Sequence, residues 1–222
     1  MRLRIRHLKT KGFGSDISFD ARFLSGYSNT DPVTTWTNLS NESNNATNTS
    51  ANAPTYKTSG VNGLPSIVFS TGKTLSFTGV SVELSATVIV CKKTGTIMLP
   101  VGNSSSTAGP HPLIDWSDSN IYVGNSAGYR SASGGAMTSW TLFSSKLDSS
   151  NAFSARKNGA TVSLGAFNTL AGSSTVNLLG GRSLATSNCE VAAIYCVNSA
   201  ASNSVLKRLE HSAAFSFKIP CS

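Results

Sequence analysis

An antiparallel all-β sandwich of two sheets, with one short helix near the C-terminus, is the architecture this sequence predicts. Charged residues make up only 13% of its 222 positions, while Gly, Ser, Thr and Asn are plentiful, a balance that suits strands joined by turns better than helices rich in Glu and Lys. Short apolar or alternating runs recur between turn signals along the chain. No helical stripe appears before the final segment. The length fits one large domain that buries a substantial core without staples.

The elements follow in order. Ser66–Phe69 and Leu84–Cys91 are apolar runs, and Asn120–Gly124 and Ser139–Phe143 alternate. Thr175–Leu179 with Glu190–Val197 reads as a late hairpin. Turn signals separate them at Asn62-Gly63, Ser70-Thr71-Gly72, Asn103 to Pro112, Gly134-Gly135 and Asn158-Gly159, and such regular punctuation predicts a sandwich. No tandem repeat is visible, which argues against a solenoid or propeller. Near the end, Val205, Leu206 and Leu209 share one helix face, with Ser202 or Asn203 as its cap. This helix is expected to plug one end of the sandwich. Trp36 and Trp140 are expected in the core, and Asp20 is expected to bond backbone near the Tyr56–Asn62 connection. The low-complexity stretch Asn38–Asn52, with sequons at Asn38, Asn41, Asn45 and Asn48, reads as an exposed loop whose polar side chains satisfy their own backbone.

Several blocks in order carry a family likeness. Between Phe19 and Phe69 come Asp20-Ala21, then Pro32-Val33 with Trp36 and Leu39-Ser40, then Pro54-Thr55-Tyr56 and Val61-Asn62-Gly63-Leu64-Pro65 leading into Ser66–Phe69. A central strand at Ala86–Lys92 and an Asn-Gly hairpin at Arg156–Val162 follow. A closing pattern from Gly180 to Pro220 holds a glycine turn, the strand around Glu190–Tyr195 and a short helix. Together they resemble the concanavalin A-like lectin/glucanase superfamily, the laminin-G-like jelly rolls of secreted bacterial proteins and of bacteriophage structural proteins. Thr96–Thr138 matches none of the family's blocks. The resemblance implies a jelly-roll sandwich over 16–222 behind a basic N-terminal arm or first strand over 1–15. The fold hosts lectins, glycanases and structural modules, so function has to come from the site.

The net charge of +8 is unevenly placed: Arg2, Arg4, Arg6, Lys9 and Lys11 lie in the first eleven residues with no acid, leaving +3 for the remainder. Alternation of the arginines with Leu3 and Ile5 gives an extended segment one cationic and one apolar face. These five residues are candidates for docking on a partner's sheet edge or acidic surface; the alternative is a first strand whose arginines face water. The rest of the chain is too weakly basic to form a phosphate-tracking groove, so nucleic acid is not the expected partner. Arginine interrupts any apolar stretch at the start, which argues against a signal peptide, and no apolar run is long enough to span a bilayer. Cellular members of the family are usually secreted. A member without an export signal fits a phage virion protein assembled in the host cytoplasm, with other capsid or tail proteins as partners and a symmetric homo-oligomer as the expected assembly.

Catalytic and metal patterns are absent from the sequence. Family members that cleave β-glucans alternate acids along one strand, whereas none of the ten acids here is spaced i, i+2 on a strand. His7, His111 and His211 have no nucleophile motif beside them, and Gly102–Gly109 lacks the lysine of a phosphate loop. Cys91, Cys189, Cys196 and Cys221 show no metal spacing and are expected mostly reduced and buried. No enzyme and no cofactor are expected.

Binding remains, centred on Ile114–Tyr122. Sugar sites combine an aromatic ring, which stacks on the apolar face of a pyranose, with groups that hydrogen-bond its hydroxyls. Trp116 between Asp115 and Asp118, with Asn120, Tyr122, Tyr129 and Arg130 following, fits that pattern and makes these seven the candidate glycan-binding residues. The structural alternative packs Trp116 over a sheet edge and uses the two acids to cap turns. Two carboxylates are too few to define a calcium site. The reading is a non-enzymatic virion subunit, of capsid-decoration or fibre type, that displays a cell-surface glycan site, with a free lectin as the alternative and a hydrolase with atypical acids as a weaker one.

Overall fold

The computed structural model describes residues 15–40, 43–81, 86–104, 111–125, 128–133, 136–147, 153–165, 175–182, 185–197 and 202–222. Arg2, Arg4, Arg6, Lys9 and Lys11 lie outside these. The chain forms β1 (Ser15–Asp20), β2 (Thr35–Trp36), β3 (Ala46–Thr47), β4 (Thr55–Lys57), β5 (Ser66–Phe69), β6 (Leu75–Ser81), β7 (Ala86–Lys93), β8 (Val101–Gly102) and β9 (His111–Asp115). Next come β10 (Asn120–Asn125), β11 (Gly128–Ser133), β12 (Thr141–Leu147), β13 (Phe153–Lys157), β14 (Ala160–Val162), β15 (Thr175–Leu179), β16 (Gly181–Arg182), β17 (Ala185–Thr186), β18 (Cys189–Val197) and helix α1 (Asn203–Phe217).

Two antiparallel layers make a jelly-roll-like sandwich. One is an eight-stranded sheet in the order β14-β13-β12-β7-β18-β5-β4, in which β1 also pairs with β18. β5 takes residues Cys189–Val191 of β18 and β1 takes the rest of that edge. The facing layer is the five-stranded β2-β3-β6-β15-β8, continued by the three-stranded β11-β10-β9, whose β9 abuts β8. Between the layers lie Phe19, Trp36, Ile67, Phe69, Leu75, Ile89, Phe143, Val176, Leu179 and Ile194, with Leu113, Ile121 and Val123 from the three-stranded sheet.

The apolar runs of β7 and β18 have a second cause, because all nine residues of β18 are buried. Ile89, Cys91, Ile194 and Cys196 face the sandwich core, while Val88, Val90, Tyr195 and Val197 pack with Leu142 under α1. Helix α1 therefore covers the outer face of the large sheet, touching β7 and β12, and does not plug an end. The stripe Leu206, Leu209, Ala213, Ala214 and Phe217 is the buried face. Ser202 is the N-cap, its hydroxyl accepting from the Val205 amide, and Lys218 closes the helix in a left-handed conformation.

Other expectations are corrected by the pairing. Thr175–Leu179 and Glu190–Val197 do not form a hairpin: β15 pairs with β6 and β8 in one layer and β18 with β7, β5 and β1 in the other. Trp140 is half-buried beside the α1 cluster, with the Lys92 ammonium 5.4 Å from its ring centroid; Trp36 is fully buried in the core. Asp20 bonds Arg22 and Tyr195 instead of the Tyr56–Asn62 backbone, accepting from the Arg22 amide at 3.0 Å, its guanidinium at 2.6 Å and the Tyr195 hydroxyl at 2.8 Å. The Asn-rich stretch is not a plain loop, since β3 lies within it. Asn38 is fully buried and accepts from the Ser18 amide, and Asn44 bonds both backbone groups of Thr78. Asparagine side chains here join separate segments where backbone pairing is short.

The Asn-Gly hairpin is as expected, with Asn158 at φ 51° and Gly159 at φ 83°, the left-handed pair that a two-residue turn requires. All four cysteines are free thiols; Cys91, Cys189 and Cys196 are buried and Cys221 is half-buried. Burial pushes the Cys189 thiol up to about 12, against a smaller downward pull from the Ser187 hydroxyl. Gly180, at φ 79°, leads β15 into β16, and a Cβ there would fall 2.0 Å from a ring carbon of Phe69. Gly180→Ala is expected to destabilise the fold by about 3 kcal/mol, from strain and overpacking together, as read by urea denaturation.

Candidate functional site

The β9–β10 turn is the most organised polar feature on the outward side of the three-stranded sheet. Alternation along β10 sends Ile121 and Val123 into the core and leaves Asn120 and Tyr122 half-buried on the outside. Across the ladder, Ser133 stands opposite Asn120 and Ser131 opposite Tyr122. The turn closes through the Ser119 amide to the Trp116 carbonyl and the Trp116 amide to the Asn120 carbonyl, both at 3.1 Å, with Ser119 at φ 63°. Trp116 is half-buried and Asp118 exposed.

Asp118 is held by three donors. Its Oδ1 accepts from the Asn120 amide at 2.9 Å, and its Oδ2 accepts from Asn120 Nδ2 at 2.9 Å and from the Tyr122 hydroxyl at 2.6 Å. Hydrogen bonds favour the charged form, and the Tyr122 hydroxyl, followed by the Asn120 amide, holds this carboxyl below the usual aspartate range. The turn therefore presents an ionised acceptor bonded to Tyr122, with Trp116 half-buried two positions before Asp118 in the chain.

Asp115, expected on this surface, is inside the protein. It is fully buried, with Oδ1 2.5 Å from Lys93 Nζ and Oδ2 accepting from the Met137 amide at 2.6 Å. Lys93 also donates to the Trp116 carbonyl at 2.7 Å. Burying a charge is tolerated only when it is paired and hydrogen-bonded, and Asp115 meets both conditions by facing away from solvent. Lys93 is the residue that sequence reasoning missed. Its signal was parity: positions 89, 91 and 93 of one strand share a face, so a lysine ending the inward series needs a buried anion. The backbone register puts Tyr129 opposite Gly124 and Arg130 opposite Val123, and their side chains lie outside those described. The structure bonds Asp118, Asn120 and Tyr122 to one another, ties Trp116 to the same turn through its backbone and removes Asp115. The two carboxylates considered for calcium are separated in role, one buried in an ion pair and one exposed; among the described residues no group of three or more metal-ligating side chains occurs.

No known protein family matches the chain by sequence, and no curated protein does so either. Solved structures match its fold. The binding domain of Paraclostridial Mosquitocidal Protein 1 superposes with a TM-score of 0.56 at 12% identity, over 93% of this chain and 53% of that one. The Botulinum Neurotoxin Type G receptor-binding domain does so with a TM-score of 0.52 at 7% identity, over 90% and 51%. Trypanosoma rangeli sialidase, solved with a difluoro-KDN ligand, gives 0.53 at 13% identity, over 94% of this chain and 34% of that one. The chain spans a third to a half of the length of these proteins. At such identities the likeness is one of fold, a β-sandwich.

Tyr122→Phe is expected to raise the Asp118 pKa back toward the ordinary aspartate value without unfolding the protein. NMR titration of the Asp118 carboxyl in the two proteins checks this.

Proposed function

We propose that the chain is a non-enzymatic, lectin-like recognition module that holds a glycan on the outward side of the three-stranded sheet. The observation that carries this reading is the Trp116, Asp118, Asn120 and Tyr122 cluster. The Asp118 carboxylate is bonded to Tyr122 and Trp116 belongs to the same turn, and stacking on a sugar ring with acceptance from its hydroxyls needs an aromatic ring and such an acceptor. The likeness to two domains named for binding supports recognition as the role. Hydrolysis of the two-carboxylate kind is disfavoured at Asp20, Asp115, Glu190 and Glu210, which are buried in ion pairs and so are not free to flank a scissile bond.

A glycan array probed with the wild type and Trp116→Ala tests the reading. Specific binding that falls about tenfold or more in a folded Trp116→Ala protein is expected, since losing one stacked aromatic removes roughly 1–2 kcal/mol. Silence of the folded wild type across the array would overturn it.

The more specific role is a virion subunit whose basic start docks on the particle. It is supported by the family resemblance and by the segregated Arg2, Arg4, Arg6, Lys9 and Lys11. The solved neighbours described above come from a trypanosome and from clostridial toxins, so this placement rests on the sequence. Deleting 1–11 is expected to abolish particle attachment while circular dichroism retains the β signature; unaltered attachment would remove the docking role.

A further inference from the structure

We infer that the outer face of α1 is a second recognition surface, one that lies on an anionic lipid bilayer. The inference is independent of the glycan site, which occupies the opposite layer of the sandwich. Lys207, Arg208, His211 and Phe215 on this helix and Lys218 at its C-cap are all exposed, and the spacing of 207, 211 and 215 aligns them in one row about 12 Å long. The helix has a single acid, Glu210, and it is buried against the sheet beside Ser144 and Arg156. Among the described side chains, Lys207 of this row and Lys218 at the cap have no acid beside them on the helix.

Phe215 stands within that row at 79% exposure, the highest of any large apolar side chain described. The next is Phe23, at 41%, and it lies at the same end of the helix. The Arg22 guanidinium carbon is 5.6 Å from the Phe23 ring centroid and 4.4 Å from that of Phe217. At the other end of α1, Lys146 donates to the Asn203 side chain at 3.0 Å, adding a cation on the same side. The face is thus a helix lying flat, flanked by lysines, with phenylalanine projecting at its C-terminal end.

Charge complementarity selects an anionic partner. A second copy of the chain fits poorly, because Asp20, Asp115, Glu190 and Glu210 are buried, and the exposed or half-exposed acids among the described side chains are the separate Asp118 and Asp31. Between a protein and a bilayer, the residue types decide. Lysine is depleted from protein interfaces, whereas lysines attract an anionic leaflet as point charges without needing shape complementarity, and an exposed phenylalanine gains by entering the headgroup boundary.

Co-sedimentation of the full chain with vesicles of phosphatidylcholine containing about 30% phosphatidylserine, at about 0.1 M salt, tests this. Binding is expected to these vesicles and not to pure phosphatidylcholine. Phe215→Ser and the pair Lys207→Glu with Lys218→Glu should each weaken it by about tenfold or more, with unchanged circular dichroism. The same losses are expected when Arg2, Arg4, Arg6, Lys9 and Lys11 are all glutamine, which separates the helix from the basic start. Wild-type binding by the α1 variants, no binding to the anionic vesicles, or α1-dependent binding to poly-glutamate or duplex DNA but not to vesicles would overturn the assignment.

Discussion

The central pair β7 and β18 is buried on both of its faces, and most of the molecule is arranged to satisfy that condition. A sheet with two apolar sides has to be covered twice, once by the facing layer and once by α1. Tyr195 shows how the helical cover is joined to the edge of the sheet beneath it. Its ring packs under α1 while its hydroxyl donates to Asp20 at the end of β1, and burial together with the Asp20 charge pushes its own ionisation well above the ordinary range. Arg22 pairs with Asp20 and lies over Phe217 near the helix terminus. Strand, neighbouring turn and helix are therefore fixed by one continuous set of contacts.

The buried acids extend the same logic to the surface. Asp115 pairs with Lys93, Glu190 with Lys57 and Lys92, and Glu210 with Arg156. Pairs of this kind are weak sources of net stability, and their use is in fixing geometry. For Glu190, burial pushes the carboxyl up but hydrogen bonds from Lys57 and Lys92 outweigh it, so its net displacement is downward. The Lys93–Asp115 pair sets where β9 leaves the interior, and hence where Trp116 and Asp118 emerge. Among the described residues, the one acid of α1, Glu210, is drawn inward to Arg156, and Lys207, Arg208 and Lys218 stay on the outside.

Much of the fold was legible in the sequence because it rests on local rules. The apolar runs, the Asn-Gly turn and the Ser202 cap each have a signature that short stretches carry alone. What escaped was long-range. Thr175–Leu179 and Glu190–Val197 read as a hairpin because they are neighbours in sequence, yet each finds better partners elsewhere, and pairing across sheets leaves no local mark. The helix was recognisable, but its place was not, since covering an outer face and plugging an end need the same amphipathic pattern. At the candidate site, the alternation that puts Ile121 inside and leaves Asn120 and Tyr122 half-buried on the outside was readable in the sequence. Asp115 misled because an acid beside a tryptophan looks identical whether it faces water or a lysine on a distant strand.

The free thiols have a kinetic consequence. Cys91, Cys189 and Cys196 are sealed in the interior, and burial keeps Cys91 and Cys189 in the protonated form, which is a poor nucleophile. An oxidant or alkylating reagent meets them only during an opening event, so the rate of their modification is scaled down by how seldom the sandwich opens. Cys221, half-buried beside the β13–β14 turn, is the thiol open to attack while the fold is closed. In an oxidising medium the closed protein would acquire its first sulfur modification there, leaving the other three as a record of whether the chain had ever come apart.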